Sequence, residues 1–285
     1  MKKITKAVFP VAGFGSRFLP ATKVVPKEML PIIDKPLIQY GVEEAIEAGI
    51  KDIIFITSRQ KRTVEDHFDR TLELENHLKE KNNISQLSDL KAVAPEDVNF
   101  IFIRQSEALG LGHAISLSES VIGNYPFAVI LVDDLIDSSP GALSQMVENY
   151  AEAGTSIVAV ERIKREYSQF YGVVEVDNNE NINTIVEKPK PEDAPSDLGV
   201  VGRYIFNPKI FSELNHISYG SGGEIQLTDA IEKLLQKETV KAFKFKGTRF
   251  DCGSNLGFLK ANISYALKRG DIKDRLSAYI KSLKI

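Results

Sequence analysis

The sequence predicts an α/β fold: a mixed, mainly parallel sheet flanked by helices, with a smaller β-rich region and helices at the C-terminal end. In the first half, apolar runs of strand length alternate with helical patterns. This alternation is typical of parallel strands joined by helical crossovers. After Gly154 the strands become shorter and turn residues separate them. With 285 residues, 43% of them hydrophobic, the chain is large enough for a full core in one globular unit.

Hydrophobic periodicity places the elements of the first half. We expect strands at 7–11, 53–57, 100–103 and 127–132, and helices at 37–48 and 114–121. Residues 70–98 are rich in Glu, Lys, Asn, Ser and Asp, with a helix-like portion at 71–81. We interpret this segment as a solvated insertion between two strands and assign it no chemistry.

The second half is predicted to contain strands at 156–160, 172–176, 183–187 and 199–206, divided by turns such as 177–179. The tail, 256–285, has a helical pattern and mixed charge. Helices at a chain end either close a core or form a subunit contact, and both remain open. We treat 1–285 as a single domain with segments at 1–154, 155–253 and 254–285.

Composition excludes several classes of protein. A net charge of -3 gives no basic excess of the kind that nucleic-acid or anionic-membrane partners require. The single cysteine, Cys252, excludes an intramolecular disulfide and favours a reducing cytoplasm. The longest clean apolar run, 127–132, is far shorter than the ~20 residues of a membrane span. We therefore expect a cytoplasmic protein with neither a nucleic-acid nor a membrane partner.

The segment VAGFGSRFLPATKVVPKEMLP, residues 11–31, has the features of a phosphate-binding loop. Gly13 and Gly15 allow backbone N–H groups to approach a ligand closely. Arg17 adds a planar fork suited to bidentate phosphate contacts, and Lys27 adds a point charge. Together these residue types favour a triphosphate.

The loop has other possible interpretations. A glycine pair after a strand is often only a tight turn before a helix. The dinucleotide motif G-x-G-x-x-G fails because Phe18 occupies the third glycine position, and Pro20 and Pro26 prevent the immediate helix. A Walker A sequence is absent around Lys27.

Two aspartates at predicted strand ends, Asp133 and Asp251, are candidate metal ligands. An Asp in this position is commonly a helix N-cap or a turn residue. Beside a phosphate loop, however, two carboxylates are sufficient for Mg²⁺, which completes its coordination with phosphate oxygens and water. Asp134 is the alternative to Asp133 as a metal ligand. Because neighbouring side chains of a strand point to opposite faces, we expect Asp134 to point away from the site of Asp133.

The pattern G-x-G-[ST]-R-x-x-P-x-T-x-x-x-P-K, at residues 13–27, resembles the opening signature of the sugar-1-phosphate nucleotidyltransferases. The similarity continues at 34–40, 110–114, 187–189 and 223–229. It is strongest to the branch that uses UTP and glucose 1-phosphate, and it implies a Rossmann-like fold and a Mg²⁺-dependent uridylyl transfer. The alternatives are a relative that uses dTTP, CTP or ATP, and a non-catalytic module that binds sugar nucleotides. Such a module would not need both cations and both carboxylates.

The resemblance also implies residue roles. Arg17 and Lys27 would bind the triphosphate, Lys188 the sugar phosphate, and Asp133 and Asp251 the Mg²⁺. The nucleotide residues would be Ala12, Gly13, Gly15, Glu28, Gln105, Gly110 and Asp133, and the hexose residues Gly172, Glu187, Val200 and Gly202. Residues 1–154 would bind mainly the nucleotide and residues 155–253 mainly the sugar, with C-terminal helices at 254–285. A homo-oligomer, dimer or tetramer, is also expected.

The expected chemistry requires no general base. A sugar phosphate has a second pKa of about 6, so that near neutral pH its oxygen is already an anion able to attack. His67, His77 and His216 therefore receive no role, and a covalent route through Cys252 is unnecessary. His113 differs because it follows the turn at 110–112, which the resemblance places close to the nucleotide.

Overall fold

A computed structural model describes residues 2–217 and 223–283, which form a nine-stranded mixed sheet covered by helices. In chain order the strands are β1 Lys6–Pro10, β2 Pro31–Ile32, β3 Lys35–Pro36, β4 Asp52–Thr57, β5 Asn99–Arg104, β6 Phe127–Ile130, β7 Asp134–Asp137, β8 Ser156–Arg162, β9 Gly172–Val176, β10 Ile182–Glu187, β11 Leu198–Phe206, β12 Val240–Lys244 and β13 Thr248–Asp251. β2 pairs with β3, and β7 with β13, outside the large sheet.

The parallel region of the large sheet carries the predicted phosphate loop. β6, β1, β4 and β5 lie side by side and run parallel. Their carboxyl ends therefore meet at one edge, where ligands of open α/β sheets bind. β11 runs antiparallel to β6 and also pairs with β8 and β9, so the two halves of the chain share one sheet. The predicted mixed α/β fold class is confirmed.

Helices cover both faces of this sheet. They are α1 Leu37–Glu47, α2 Arg62–His67, α3 Leu72–Glu80, α4 Ile84–Val93, α5 Leu111–Ser116, α6 Glu119–Ile122, α7 Ala142–Ala153, α8 Lys209–Asn215, α9 Leu227–Leu235, α10 Asn255–Ala266 and α11 Lys273–Ser282. The last two residues of the predicted helical tail lie outside the described residues.

Several elements differ from the sequence predictions, and three of them show local reasons. β6 ends at Ile130, and the turn that follows is closed by a hydrogen bond from the Asp134 N–H to the Leu131 carbonyl, at 3.2 Å. The single helix predicted at 114–121 is split into α5 and α6, and the buried Ser118 hydroxyl donates to the Ile115 carbonyl at the break. α4 was not predicted; it lies in the polar segment 70–98, and none of its residues is buried.

The core consists of two large apolar clusters, with a third, smaller one under α10. The third cluster contains Cys252 and Ala261, so α10 does close a core. The other side of α10 exposes Leu256, Leu259 and Ile263. No helix in 2–217 or 223–283 combines the length and apolar character needed to cross a membrane.

A buried ion pair joins the sheet to its covering helices. Arg203, on β11, is 1% exposed and donates to both carboxylate oxygens of Glu44 on α1, at 2.7–3.2 Å. Its Nη1 donates to the Leu131 and Gly202 carbonyls, at 2.9 and 3.0 Å. Glu44 Oε1 also accepts the Leu143 N–H at the start of α7, at 2.9 Å. Each polar group of the pair thus has partners, as burial requires.

We expect Glu44→Gln to lower the free energy of unfolding by about 3 to 5 kcal/mol, because it leaves the buried guanidinium without a counter-charge. Urea unfolding followed by circular dichroism measures this change. The control is Glu43→Gln on the same helix: the Glu43 side chain is partly exposed and pairs with Lys35, and loss of its charge should cost at most about 1 kcal/mol. Equal losses in the two variants would contradict the assignment.

Candidate active site

The predicted phosphate loop leaves β1 and folds into three short 3₁₀ turns, Ser16–Phe18, Ala21–Lys23 and Lys27–Met29. Gly15 has a φ of 68°, in the left-handed region that favours glycine. A Cβ at this position would lie 3.2 Å from Cβ of Lys27. The Thr22 hydroxyl donates to the Gly15 carbonyl at 2.8 Å. The loop therefore folds back on itself and brings Lys27 against the first turn.

Three predicted phosphate and metal residues meet around Gly253. A Cβ placed on Gly253 would lie 3.0 Å from Oδ1 of Asp251 and 3.3 Å from Oδ2 of Asp133. It would also lie 3.5 Å from Nη1 of Arg17. The Gly253 N–H donates to Oδ1 of Asp251, at 3.0 Å. The missing side chain leaves a space bounded by two carboxylates and a guanidinium.

Lys27 belongs to the same group, because its Nζ lies 2.6 Å from Oδ2 of Asp133. Burial by itself lowers the pKa of Lys27, but the carboxylates of Asp133 and Glu28 outweigh burial and raise it. Burial likewise raises the pKa of Asp133, yet the Lys27 ammonium reverses the effect, and the net shift is downward. Both side chains are therefore charged near neutral pH.

The carboxylate pair fits a hard divalent cation. Asp133 and Asp251 each place a carboxylate oxygen at the space at Gly253. The described residues contain no group of three or more His, Cys, Asp or Glu side chains able to hold a metal. One or two carboxylates are what Mg²⁺ takes from a protein when phosphates and water supply the other ligands. A cation at this position would thus depend on a phosphate substrate.

A cavity of about 720 Å³, called here the central cleft, opens beside this group. Eight of the predicted site residues line it: Arg17, Asp133, Gly172, Glu187, Lys188, Val200, Gly202 and Asp251. At the end formed by the second half, a Cβ on Gly172 would lie 3.5 Å from both Oε2 of Glu187 and Cγ2 of Val200. The central cleft thus extends from the phosphate loop to the predicted hexose residues.

Gly202 has a packing role as well as a place in the cleft. A Cβ there would lie 2.5 Å from Cβ of Leu131, a distance that real Cβ atoms do not reach. Its N–H donates to Oδ2 of Asp134 at 2.7 Å. Asp134 also accepts from Arg249, so its carboxylate has partners different from those of Asp133.

Lys188 is held in a strained backbone conformation. Its φ is 46°, which is unfavourable for a residue with a side chain. Its N–H donates to the Tyr171 carbonyl at 2.9 Å, and the following residue, Pro189, is buried. The Lys188 side chain is 55% exposed in the cleft, and its ammonium lies 3.1 Å from Oε1 of Glu187. Outliers of this kind cluster at ligand sites.

The predicted base-binding residues form a neighbouring group. Gln105 follows β5 and is 7% exposed, and its Nε2 lies 3.2 Å from the Gly110 carbonyl oxygen. The residue after Gly110, Leu111, lines the central cleft. Ala12 and Gly13 continue β1 at the same sheet edge, and no described atom lies within 4 Å of a Cβ placed on Gly13. Open space thus remains in front of this backbone.

Glu28 is placed differently from the other nucleotide residues. It is 1% exposed, and Oε2 accepts from the Lys61 ammonium at 2.7 Å. Lys61 is almost as deeply buried. The pair joins the phosphate loop to the segment after β4. Glu28 is therefore buried in an ion pair that supports the loop.

Sequence reasoning missed Arg249, which lines the cleft almost fully buried. It donates to Asp134 and to Oε1 of Glu161, the latter at 2.5 Å, and its guanidinium lies 5.1 Å from the centre of the Tyr171 ring. A signal was available: Arg249 is two residues before Asp251 on β13, and such residues share a face of a strand.

The chain matches the family model described as Nucleotidyl transferase over residues 6–267. It is 48% identical to UTP–glucose-1-phosphate uridylyltransferase 2 of Staphylococcus saprophyticus, with all of both chains covered. The solved UTP-bound UGPase from Acinetobacter baumannii is 42% identical, has a TM-score of 0.90, and is matched over 99% of this chain and 100% of its own. A UDP-glucose pyrophosphorylase solved with UDP-glucose is 46% identical, with a TM-score of 0.85 over 93% of this chain and 100% of its own. The chain therefore belongs to the nucleotidyl transferase family.

Proposed function

We propose that this protein transfers a uridylyl group from UTP to α-D-glucose 1-phosphate and releases pyrophosphate. The observation that carries the proposal is the meeting of Arg17, Asp133 and Asp251 around Gly253, with Lys27 on Asp133. Full-length relatives bear the name of this activity, and solved neighbours hold UTP or UDP-glucose. A module that only binds sugar nucleotides would not need two cations and two carboxylates at one point.

The main task of such a site is electrostatic. Both substrates are anions, and they must approach for in-line displacement at the α-phosphorus of UTP. We assign Arg17 to the triphosphate and the departing pyrophosphate, and Lys27 to the triphosphate. Lys188, across the central cleft, is assigned to the phosphate of the sugar. Fixed cations of this kind lower the barrier because they need not reorganise as charge shifts in the transition state.

The attacking oxygen is already ionised, since a phosphate monoester has a second pKa of about 6. No general base is therefore assigned. Cys252 is also unsuited to act as a nucleophile: burial first, and then the carboxylates of Asp251 and Asp133, raise the pKa of its thiol to about 12. A direct transfer without a covalent intermediate fits these residues.

Asp133 and Asp251 would hold Mg²⁺. Bound there, the ion would supply Lewis-acid stabilisation of the phosphate oxygens at the reacting centre. The protein's own role is to place both carboxylates at the space at Gly253. Lys27 pairs with Asp133 there, and the Gly253 N–H donates to Asp251 and orients its carboxylate.

Substrate selection is assigned to the two ends of the site. The backbone at Ala12, Gly13, Gly15 and Gly110, with the Gln105 side chain, would hold the nucleotide, and Glu28 would support the loop. Glu187 can accept hydrogen bonds from two adjacent sugar hydroxyls. Gly172, Val200 and Gly202 line the central cleft beside it and would bound the hexose. This division supports a mainly nucleotide-binding half at 1–154 and a mainly sugar-binding half at 155–253.

Pyrophosphate release tests the activity directly. With glucose 1-phosphate, Mg²⁺ and UTP, dTTP, CTP or ATP in turn, we expect release to be fastest with UTP. EDTA should abolish release, and excess Mg²⁺ should restore it. Equal release with all four triphosphates would contradict the uridylyl assignment while preserving the nucleotidyl one. No release with any of them would favour the non-catalytic module.

Lys188→Ala should lower turnover by about 10² to 10³, the usual effect of removing one preorganised charge from a transition state. Lys190→Ala is the matched control, because Lys190 is exposed in the same segment and does not line the central cleft. Steady-state turnover and the thermal unfolding midpoint of both variants should be measured together. Wild-type turnover in Lys188→Ala would remove this residue from the mechanism.

We also propose that the protein forms a homo-oligomer, a dimer or tetramer, through α10. Leu256, Leu259 and Ile263 are exposed there at helical spacing, and clustered apolar surface favours association. Light scattering should give a multiple of 31.7 kDa for the wild type and a smaller mass for Leu259→Glu. Leu72→Glu, at an exposed leucine of α3, is the control. A wild-type mass of one chain at all concentrations would refute the proposal.

A further inference from the structure

The amide of Gln105 is held by two hydrogen-bond acceptors. Its Nε2 lies 3.2 Å from the Gly110 carbonyl oxygen and 2.9 Å from Nδ1 of His113. A carbonyl oxygen can only accept, so the atom facing it must be the amide nitrogen. Nδ1 of His113 then accepts the second hydrogen, and the ring carries its own proton on Nε2. Both amide hydrogens are thereby used.

The other amide atom, Oε1, has no hydrogen-bond partner within residues 2–217 and 223–283. Gln105 thus offers an acceptor and no free donor. Uracil presents a ring N–H, at N3, to such an acceptor. Cytosine has a lone pair at the same position, so it would meet Oε1 acceptor against acceptor. An amide turned by 180° would reverse this preference, because it would present its nitrogen to the base.

The backbone around His113 keeps its ring in place. His113 lies in the first turn of α5, and the preceding Gly112 donates its N–H to the Ile225 carbonyl at 2.9 Å. A Cβ on Gly112 would lie 2.7 Å from that carbonyl oxygen. Gly110, with a φ of 94°, is packed against Glu224 in the same way. Glycines therefore let this turn lie against residues 224–225, which fixes where the imidazole meets Gln105.

We propose that His113 is a positioning residue that holds Gln105 in its acceptor orientation and so sets the preference for UTP over CTP. This rests on the proposed function, since it concerns the base of the nucleotide substrate. His113 itself need not contact the base. If the hydrogen bond from Gln105 to Nδ1 of His113 is lost, the amide turned by 180° becomes more populated. The remaining contact with the Gly110 carbonyl still opposes that orientation.

Two measurements on the full chain test the proposal: the dissociation constants of UTP and CTP by calorimetry, and kcat/KM for both nucleotides. In His113→Phe, which keeps a ring but loses the acceptor, the UTP-to-CTP preference should fall about tenfold, the value of one neutral hydrogen bond. His113→Asn keeps an acceptor, Oδ1, close to the position of Nδ1 and should retain most of the preference. In a Gln105→Leu background, His113→Phe should change the preference no further.

A purely structural role for His113 gives different results. Binding of UTP and CTP would then weaken by the same factor in His113→Phe, or the Phe and Asn variants would behave alike, and either result overturns the proposal. The binding ratio separates this failure from failure of the proposed function. A chain that prefers UTP through His113 but releases no pyrophosphate would contradict the activity and support the positioning role.

Discussion

Two carboxylates lie close together at the carboxyl edge of this sheet, and the rest of the site depends on the cations that stabilise them there. Asp133 and Asp251 meet at Gly253 beside Arg17, and Lys27 neutralises Asp133. Burial raises the pKa of Asp133, and the Lys27 ammonium outweighs burial and lowers it. The arrangement holds carboxylates and cations ready before substrate binds, so that anionic substrates enter a space whose charges are already placed.

A second set of ion pairs lies behind the first and keeps the backbone in place. Glu28 and Lys61 fix the phosphate loop, and Arg203 and Glu44 fix β11 to α1. Arg249 joins β13 to Asp134 and Glu161. Buried pairs of this kind are weak evidence for net stability, because desolvation offsets much of their attraction. Their directional hydrogen bonds do, however, specify where each strand end lies, and the site residues are carried on those strand ends.

The sequence predicted what depends on local pattern. Strand β9 was placed at its observed limits, and the glycine-rich loop with its two cations was identified from residues 11–31. The ion pairs were not predictable, because Arg203 and Glu44 are 159 residues apart and meet only through the packing of the sheet. The same holds for Arg249 and Asp134. Lys61 reads as an ordinary surface lysine until the fold buries it against Glu28.

Lys188 shows that stability and function compete at this site. A non-glycine residue in the left-handed region costs about 1 to 3 kcal/mol, and nothing in the loop sequence demands it. The surroundings enforce it: the Tyr171 carbonyl accepts the Lys188 N–H, Ser168 donates to the Pro189 carbonyl at 2.9 Å, and Arg249 holds the Tyr171 ring. Arg249 contacts the Tyr171 ring and also pairs with Asp134, the neighbour of the proposed metal ligand Asp133, so one guanidinium contacts residues at both ends of the central cleft.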